Sequence, residues 1–532
     1  MAYSATAAIG FAILVCTFSI IFWVLSGLCR GVRKKGVKLP PGPTPLPIIG
    51  NLHQLGNLPH RSLHELAMRY GPIMFIKLGS VPAVIASSSA AAKQFLKVRD
   101  SIFANRPPSA SGKYMLYDHK DIVFAPYGES WRHLKKVCIL QLLTAKRIES
   151  FKSVREEELC GMIRSIWNKS ERGTFPVDVS KTISSLTSNI TWRMLAGRTF
   201  ADQDLCPTNT GTGLGFKEMM EEASAFSGGF NVGDFIPWVN WLDLKGLIRR
   251  MKSVHKLYDE FAEKLLNEHL EHRRRLPNVD KERIQNFVDV LFDMNDANIQ
   301  TITREETKAT VFELFFAGME TTTTTLEWAM SELLRNPRLM YKLKEEMTFL
   351  VGKDRMVRES DLGSLEYLQC VVKETLRMHP AVPLLVPHES THECTVQGTA
   401  GAFHFLPAKT RLIVNAWAIG RDPLVWDDPL VFKPERFMGS NLDVVKDEEM
   451  RIVPFGAGRR ACPGASLAMV IVEIALAQLV HCYDWKLNDE PSQLNMEETF
   501  GTTIPRKFHL FALPTLSLQI LPSLSCRDGN EN

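Results

Sequence analysis

The chain has 532 residues, 45% of them hydrophobic, and a formal net charge of +4. So mild a charge argues against a nucleic-acid binder, which needs a concentrated basic stripe. Ten scattered cysteines with no C-x-x-C argue against zinc or iron–sulfur ligation and against a disulfide scaffold, and point to a reducing, cytosol-facing compartment.

No charged side chain occurs from Ala2 to Leu28, and Ala7 to Leu28 is nearly all apolar. A helix of about 20 such residues spans a bilayer. Arg30, Arg33, Lys34, Lys35 and Lys38 follow, and positive charge after a span keeps that side cytosolic. A cleaved signal peptide would start charged, carry a shorter apolar run and end in a small-residue cleavage site. Residues 1–29 therefore read as a retained single-pass anchor. Leu39-Pro40-Pro41-Gly42-Pro43-Thr44-Pro45-Leu46-Pro47 is stiffened by proline, so residues 30–50 read as a basic, proline-rich hinge.

The apolar runs 73–78 and 81–86, bounded by glycine and proline, predict short strands. From about Trp131 to Glu374 helical periodicity dominates, and strand-like runs return near Leu412-Ile413-Val414 and the carboxyl end. The expected fold class is mainly α with minor β (α+β), as one large domain over residues 51–522 with a loose polar tail at 523–532. The polar stretch from Ala201 to Thr212 reads as a surface loop. Gly211-Thr212-Gly213-Leu214-Gly215 lacks both a preceding strand and the G-x-G-x-x-G spacing, and no Walker sequence occurs. With no nicotinamide or flavin fold in view, reducing electrons are expected from a separate protein. The sequons at Asn168 and Asn189 lie in helical patterns on the cytosolic side and read as chance matches.

Three segments carry chemistry. The apolar run from Val311 to Phe316 meets a polar notch, Ala317-Gly318-Met319-Glu320-Thr321-Thr322, where two small residues leave room beside an acid and an alcohol. A threonine hydroxyl can bond back to the preceding turn and distort a helix locally. Alone, the notch fits a buried helix with one satisfied threonine equally well. Glu374 and Arg377 lie on one helix face, and Phe432-Lys433-Pro434-Glu435-Arg436-Phe437 supplies another arginine. Alone, such a pair is usually a solvated surface salt bridge. The third is Phe455-Gly456-Ala457-Gly458-Arg459-Arg460-Ala461-Cys462-Pro463-Gly464, one cysteine on a glycine-punctuated loop ahead of an apolar helical pattern. Glycines let such a loop turn tightly and approach a flat ligand, and a helix N-terminus stabilises a thiolate. A bare Gly-x-Arg-x-Cys fits a buried free cysteine better; the full F-x-x-G-x-R-x-C-x-G pattern is highly specific.

That pattern resembles the haem-binding loop of the cytochrome P-450 monooxygenases, and the resemblance extends from the anchor to Arg506. The hinge is similar to that of microsomal members. The notch resembles the A-G-x-E-T-T element of the family's long central helix, where Glu320 and Thr321 would manage proton delivery to dioxygen. Glu374, Arg377 and Arg436 resemble a buried charge triad behind the haem, with a role in folding and haem retention. The resemblance implies haem b with Cys462 as axial ligand to iron, bounded by Phe455 and Gly458. Its propionates would meet Trp131, Lys135, His388 and Arg460. Two positions depart from the family pattern: Lys135 and His388 stand where arginine is usual. Lysine keeps charge without the bidentate fork, and histidine keeps a hydrogen bond with uncertain charge.

The resemblance implies an NADPH-cytochrome reductase as electron donor, with cytochrome b5 as a second candidate, and O2 as co-substrate. Arg132, Lys135 and Lys136 are candidates for docking an acidic reductase. It also implies the endoplasmic reticulum membrane as location, no nucleic acid as partner, and a lipophilic small-molecule substrate of plant specialised metabolism. Candidate pocket residues are Phe316, Val382, Leu384, Leu385, Val386 and Ile504, from segments after Arg106, near Phe216–Phe235, on the central helix near Phe316–Thr321, and around the turns 381–387 and 501–505. No carboxylate or arginine among them stands out as a substrate anchor, so the reading leans to a terpenoid; phenylpropanoid or flavonoid and fatty acid stay open. Phe235 to Leu242 is apolar and aromatic, suited to the membrane surface or to buried packing alike. An oxygen-independent isomerase or a non-catalytic haem protein is the alternative, against which the intact Glu320-Thr321 pair argues.

Overall fold

A computed structural model describes residues 15–17, 38–198, 219, 222–223, 226, 231–243, 246–275, 284–296, 302–398 and 401–518. The expected anchor lies outside the described residues apart from a helical turn at 15–17. So do the loop 201–212, the glycines 211–215, most of 216–230 and the tail.

The longer helices run in chain order as α1 (Pro59–Tyr70), α2 (Glu129–Val137), α3 (Lys152–Lys169), α4 (Val179–Ala196), α5 (Leu247–Arg275), α6 (Phe287–Asp296), α7 (Arg304–Arg335), α8 (Pro337–Val351), α9 (Glu366–Met378) and α10 (Ala465–Cys482). The strands are β1 (Ile73–Leu78), β2 (Val81–Ala86), β3 (Val177–Asp178), β4 (His388–Glu389), β5 (Cys394–Gln397), β6 (Phe403–Leu406), β7 (Arg411–Val414), β8 (Tyr483–Lys486) and β9 (Phe511–Leu516). Helix outweighs sheet, as the periodicity predicts, and the predicted strands at 73–78 and 81–86 are β1 and β2.

The largest sheet has the order β1-β2-β7-β4. β1 and β2 form a hairpin, β7 joins β2 in parallel with Ala83 opposite Arg411, and β4 closes the edge with His388 opposite Leu412. β9 sits between β3 and β8, and β5 pairs with β6. The proline-rich segment docks beside β1: the Phe75 N–H donates to the Pro41 carbonyl at 2.9 Å, and that of Phe405 to Lys38 at 3.0 Å.

Two helices fix the site. α7 begins at Thr303, whose hydroxyl accepts from the Glu306 N–H while the Glu306 carboxylate accepts from the Thr303 N–H, a reciprocal capping box. Most of α7 packs against α4, α9 and α10, while Ala317 is exposed and residues 318–321 are half-buried. Gly318 permits close approach there, since a Cβ would meet Thr191 Cγ2 at 3.3 Å. α10 is apolar around its whole circumference, which suits a helix inside a core. Among the described residues it alone is long and apolar enough to cross a membrane, and it is mostly buried in the domain.

Candidate active site

A cavity of about 290 Å³ lies between α7, the loop before α10, the turn 381–388 and the segment around Ile122. Glu313, Ala317, Thr321 and Thr325, spaced by four along α7, all line it. The Thr321 hydroxyl donates to the Ala317 carbonyl at 2.7 Å and that of Thr325 to the Thr321 carbonyl at 2.9 Å, the back-bonding that the threonine run predicts.

Cys462 faces α7 from the other wall. The Cys462 N–H donates to the Phe455 carbonyl at 2.9 Å and closes the loop. Gly456 and Gly458 carry φ of +63° and +68°, in the left-handed region that only glycine enters cheaply. The two differ in position. Gly456 lines the cavity, whereas Gly458 packs on the far side, where a Cβ would come within 2.2 Å of the Leu96 carbonyl oxygen. Phe455 lines the cavity as well. Cys462 is open to the cavity, but its position deep in the domain pushes the thiol up, and the N–H groups of Gly464 and Ala465 with the Lys135 charge oppose this. Those two N–H groups, at the start of α10, are the donors that a thiolate needs.

The third wall is cationic. Trp131, Lys135, His388 and Arg460 all line the cavity, joined by Arg106, which the motifs did not single out. Arg460 stacks on the Trp131 ring, its guanidinium carbon 4.0 Å from the ring centre. Its remaining donors go to backbone carbonyls: Nε to Ala104 at 2.7 Å and Nη2 to Ala125 at 2.6 Å. Arg106 is buried and likewise bonds only carbonyls, those of Val123, Val386 and Pro387, at 2.9, 2.6 and 2.8 Å. The Trp131 indole N–H donates to the Ile122 carbonyl at 2.9 Å, so the ring acts as a platform for Arg460. Lys135 donates to the carbonyls of Arg459 and Ala461, bracing the loop of Cys462. It is thereby turned inward, while Arg132 and Lys136 on the same helix are exposed. His388 Nδ1 donates to the Phe103 carbonyl at 2.8 Å. Burial, with Arg106 and Arg460 nearby, holds its imidazole well below the usual range, so Nε2 carries no proton at neutral pH.

This wall tests whether haem fits. Burial holds the Arg106 guanidinium well below its ordinary range, with Arg460 repelling it and Asp121 partly compensating. Burial likewise pushes Arg460 down to about 10. Buried cations facing a cavity with so little opposing charge call for an anionic ligand. Two propionates on a flat macrocycle, with a thiol opposite a helix of small residues, match the donor set.

Other predicted residues lie elsewhere. Glu320 is half-buried and turned off the cavity, and Phe316, Leu384 and Ile504 pack in the core. Val382, Leu385 and Val386 do line the cavity. The sequence singles out no carboxylate or arginine in the pocket segments; the structure places Glu313 and Arg106 on the cavity wall. Arg106 belongs to no motif quoted from the sequence, and Glu313, although inside the run 311–316, carries no role there; it falls four residues before Ala317, on the face that the notch defines. Behind the site, Glu374 accepts from Arg377 Nε at 2.7 Å and Arg436 Nε at 3.0 Å, and the side chains of Glu374 and Arg377 are fully buried. The pair is a buried triad and not a surface salt bridge. Trp238 and Trp241 are 63% and 81% exposed, while Ile236 is buried, so the aromatic segment is not core.

Comparison with known proteins agrees with this geometry. A family model described as Cytochrome P450 matches residues 40–511. A relative named Cytochrome P450 750A1, from Pinus taeda, is 49% identical over 96% of this chain and 97% of its own length. Cytochrome P450 CYP736A12 from Panax ginseng is 42% identical over 94% and 97%. A Flavonoid 3'-monooxygenase from Arabidopsis thaliana is 40% identical over 91% and 93%.

Proposed function

This chain belongs to the plant cytochrome P-450 family of monooxygenases, and from that premise we propose that it hydroxylates a lipophilic specialised metabolite of the terpenoid class at the endoplasmic reticulum membrane. The observation that carries the reading is Cys462, placed at the start of α10 and facing Ala317 and Thr321 across an apolar cavity. Electrons come from an NADPH-dependent reductase docking near Arg132 and Lys136, with cytochrome b5 as a second donor. Residues 1–29 anchor the chain, and Trp238 with Trp241 rest on the same membrane surface.

Haem b, when bound through Cys462, supplies the iron that receives electrons and activates dioxygen. The protein does the rest. Arg106, Lys135 and Arg460 would hold the propionates, whereas His388, its Nδ1–H given to the Phe103 carbonyl and its Nε2 unprotonated, has no donor left for them. The N–H groups of Gly464 and Ala465 partly offset the burial that raises the Cys462 thiol, and would donate to the thiolate once iron holds it. Val382, Leu385 and Val386 exclude water and orient the substrate. Thr321 holds a proton at its hydroxyl beside the reacting position, and Glu320 resupplies it from the side of the helix that is turned off the cavity.

A second reading, flavonoid hydroxylation, is supported by relatives named Flavonoid 3'-monooxygenase from three plants at 38–40% identity. Microsomes holding the protein and a reductase, given NADPH and a panel of terpenes, flavonoids and phenolic acids, test both. Hydroxylated terpene that disappears in Cys462→Ala supports the first reading; hydroxylated flavonoid supports the second; no product from any class overturns both.

A further inference from the structure

Trp328 lies on α7 about two helical turns beyond Thr321, roughly 10 Å along the axis, and is fully buried. Its ring stacks on that of His379, with centres 4.3 Å apart and planes 6° from parallel. His379 Nε2 donates to Glu332 Oε1 at 2.7 Å, one turn further along α7, and both side chains are nearly closed to water. The residue that ends α9 is thus held to α7 at two successive turns, by its face and by its edge, and Pro380 behind it stops the helix. The cavity wall begins two residues later. Ala381, Val382, Leu385 and Val386 line it, with Trp328 and His379 behind them. The Trp328 indole N–H donates to the Ile504 carbonyl at 2.9 Å, and the Ile504 N–H donates to the Ala381 carbonyl at 3.0 Å, so the same indole reaches the wall by a second route. Within the wall Leu385 has a φ of +50°, a left-handed conformation that is costly for a bulky residue and persists only where its surroundings enforce it.

We propose that His379 is a positioning residue for the hydroxylation: stacked on Trp328 and bonded to Glu332, it sets where the turn 381–386 stands against α7, and so which part of a substrate meets Thr321. A flat ring with an N–H at its edge makes both contacts at once. Phenylalanine keeps the stack alone, and glutamine the hydrogen bond alone. With both lost, the start of the wall keeps its bond to Ile504 but loses its direct hold on α7, and Leu385 is free to relax from its strained conformation. Val382, Leu385 and Val386 are apolar, so a shift of the turn alters the shape of the cavity and not its charge. The effect falls on selection among substrate orientations, because His379 acts through the wall and not on the loop of Cys462. The inference rests on the haem-thiolate reading above and names a residue that fixes its selectivity.

Titration of the purified holoprotein, followed by haem absorbance without reductase or NADPH, tests it. The probes are pyridine, 3-phenylpyridine and 4-phenylpyridine, whose nitrogen binds haem iron while the phenyl group points in a different direction in each isomer. His379→Ala is expected to change the ratio of the two phenylpyridine affinities about tenfold, with the affinity for pyridine itself held within about twofold. His379→Phe and His379→Gln, each keeping one contact, are expected to fall between. An unchanged ratio in His379→Ala beside a lowered melting temperature, as for a residue that merely stabilises the fold, overturns the proposal. So does an equal loss of affinity for all three probes, which marks damage to the whole haem site. If His379→Ala does not fold, the ratio in the other two variants decides. If no variant keeps a thiolate-type carbon monoxide band, His379 is a requirement for folding and the proposal fails. A wild type that keeps the band and binds neither isomer overturns it as well. Because no turnover is measured, these failures are distinct from a failure of the hydroxylation reading, which appears as no product from any class.

Discussion

The Thr503 hydroxyl donates to Glu320 Oε1 at 2.5 Å, joining the turn 501–505 to the centre of α7. Thr503 is itself buried, so this bond fixes the rotamer of the acid next to Thr321. If Glu320 resupplies protons, loss of this contact slows product formation without weakening substrate binding. Thr503→Val is expected to lower kcat about tenfold at unchanged KM, and Glu320→Gln about a hundredfold, with NADPH consumption exceeding product in both. Steady-state kinetics with product and cofactor measured together checks this; a rise in KM alone would place Thr503 in substrate binding.

Glu374 holds two arginines in a site closed to water. Removing it strands both, as Arg377 otherwise reaches only the carbonyls of Gly420, Pro429 and Val431. Glu374→Ala is expected to cost about 3–5 kcal/mol. Urea unfolding of the holoprotein, followed by haem absorbance and circular dichroism together, measures it.

How much of this was legible in the sequence follows from where the information is local. The loop before Cys462 and the notch 317–322 carry their chemistry within a few residues, and β1, β2 and the long helices follow from periodicity. Pairings across the fold were legible only where a motif marked both ends, as for Glu374 with Arg436. Arg106 stands alone in a loop, so nothing local distinguishes it from a surface arginine; its role appears only once β4 and the 122–125 segment close over it. Glu313 looked like one polar residue in an apolar run. Trp131 shows the reverse error: the motif is present, but its indole N–H is taken by the Ile122 carbonyl.

Gly458 is fixed by packing. Any Cβ there meets the Leu96 carbonyl and Asp100 Oδ1, at 2.2 and 2.7 Å, in a backbone conformation already unfavourable to other residues. Gly458→Ala is expected to cost about 1–3 kcal/mol and to displace the loop of Cys462. Thermal unfolding gives the first, and loss of the thiolate-type carbon monoxide spectrum at low temperature the second.

The acid side of the stability profile is set in part by Glu498. Its burial opposes ionisation, but hydrogen bonds from His60 at 3.1 Å and Arg61 at 2.9 Å prevail and hold the carboxyl down to about 2. A carboxyl depressed on folding contributes stability that is complete above its unfolded pKa and is lost as pH falls toward its folded one. That contribution is on the order of 3 kcal/mol, and it fades between about pH 5 and pH 2. Glu498→Gln should flatten the pH dependence of unfolding free energy in that window and leave it unchanged near neutrality; urea titrations across the range read this directly.

The central claim is that Cys462 provides the thiolate that holds haem iron. The reduced carbon monoxide difference spectrum of the purified protein, taken beside Cys462→Ser and a circular dichroism melt of each, tests it most directly. The account predicts a thiolate-type band in the wild type that is absent from a folded Cys462→Ser. A folded Cys462→Ser that keeps the band would contradict it.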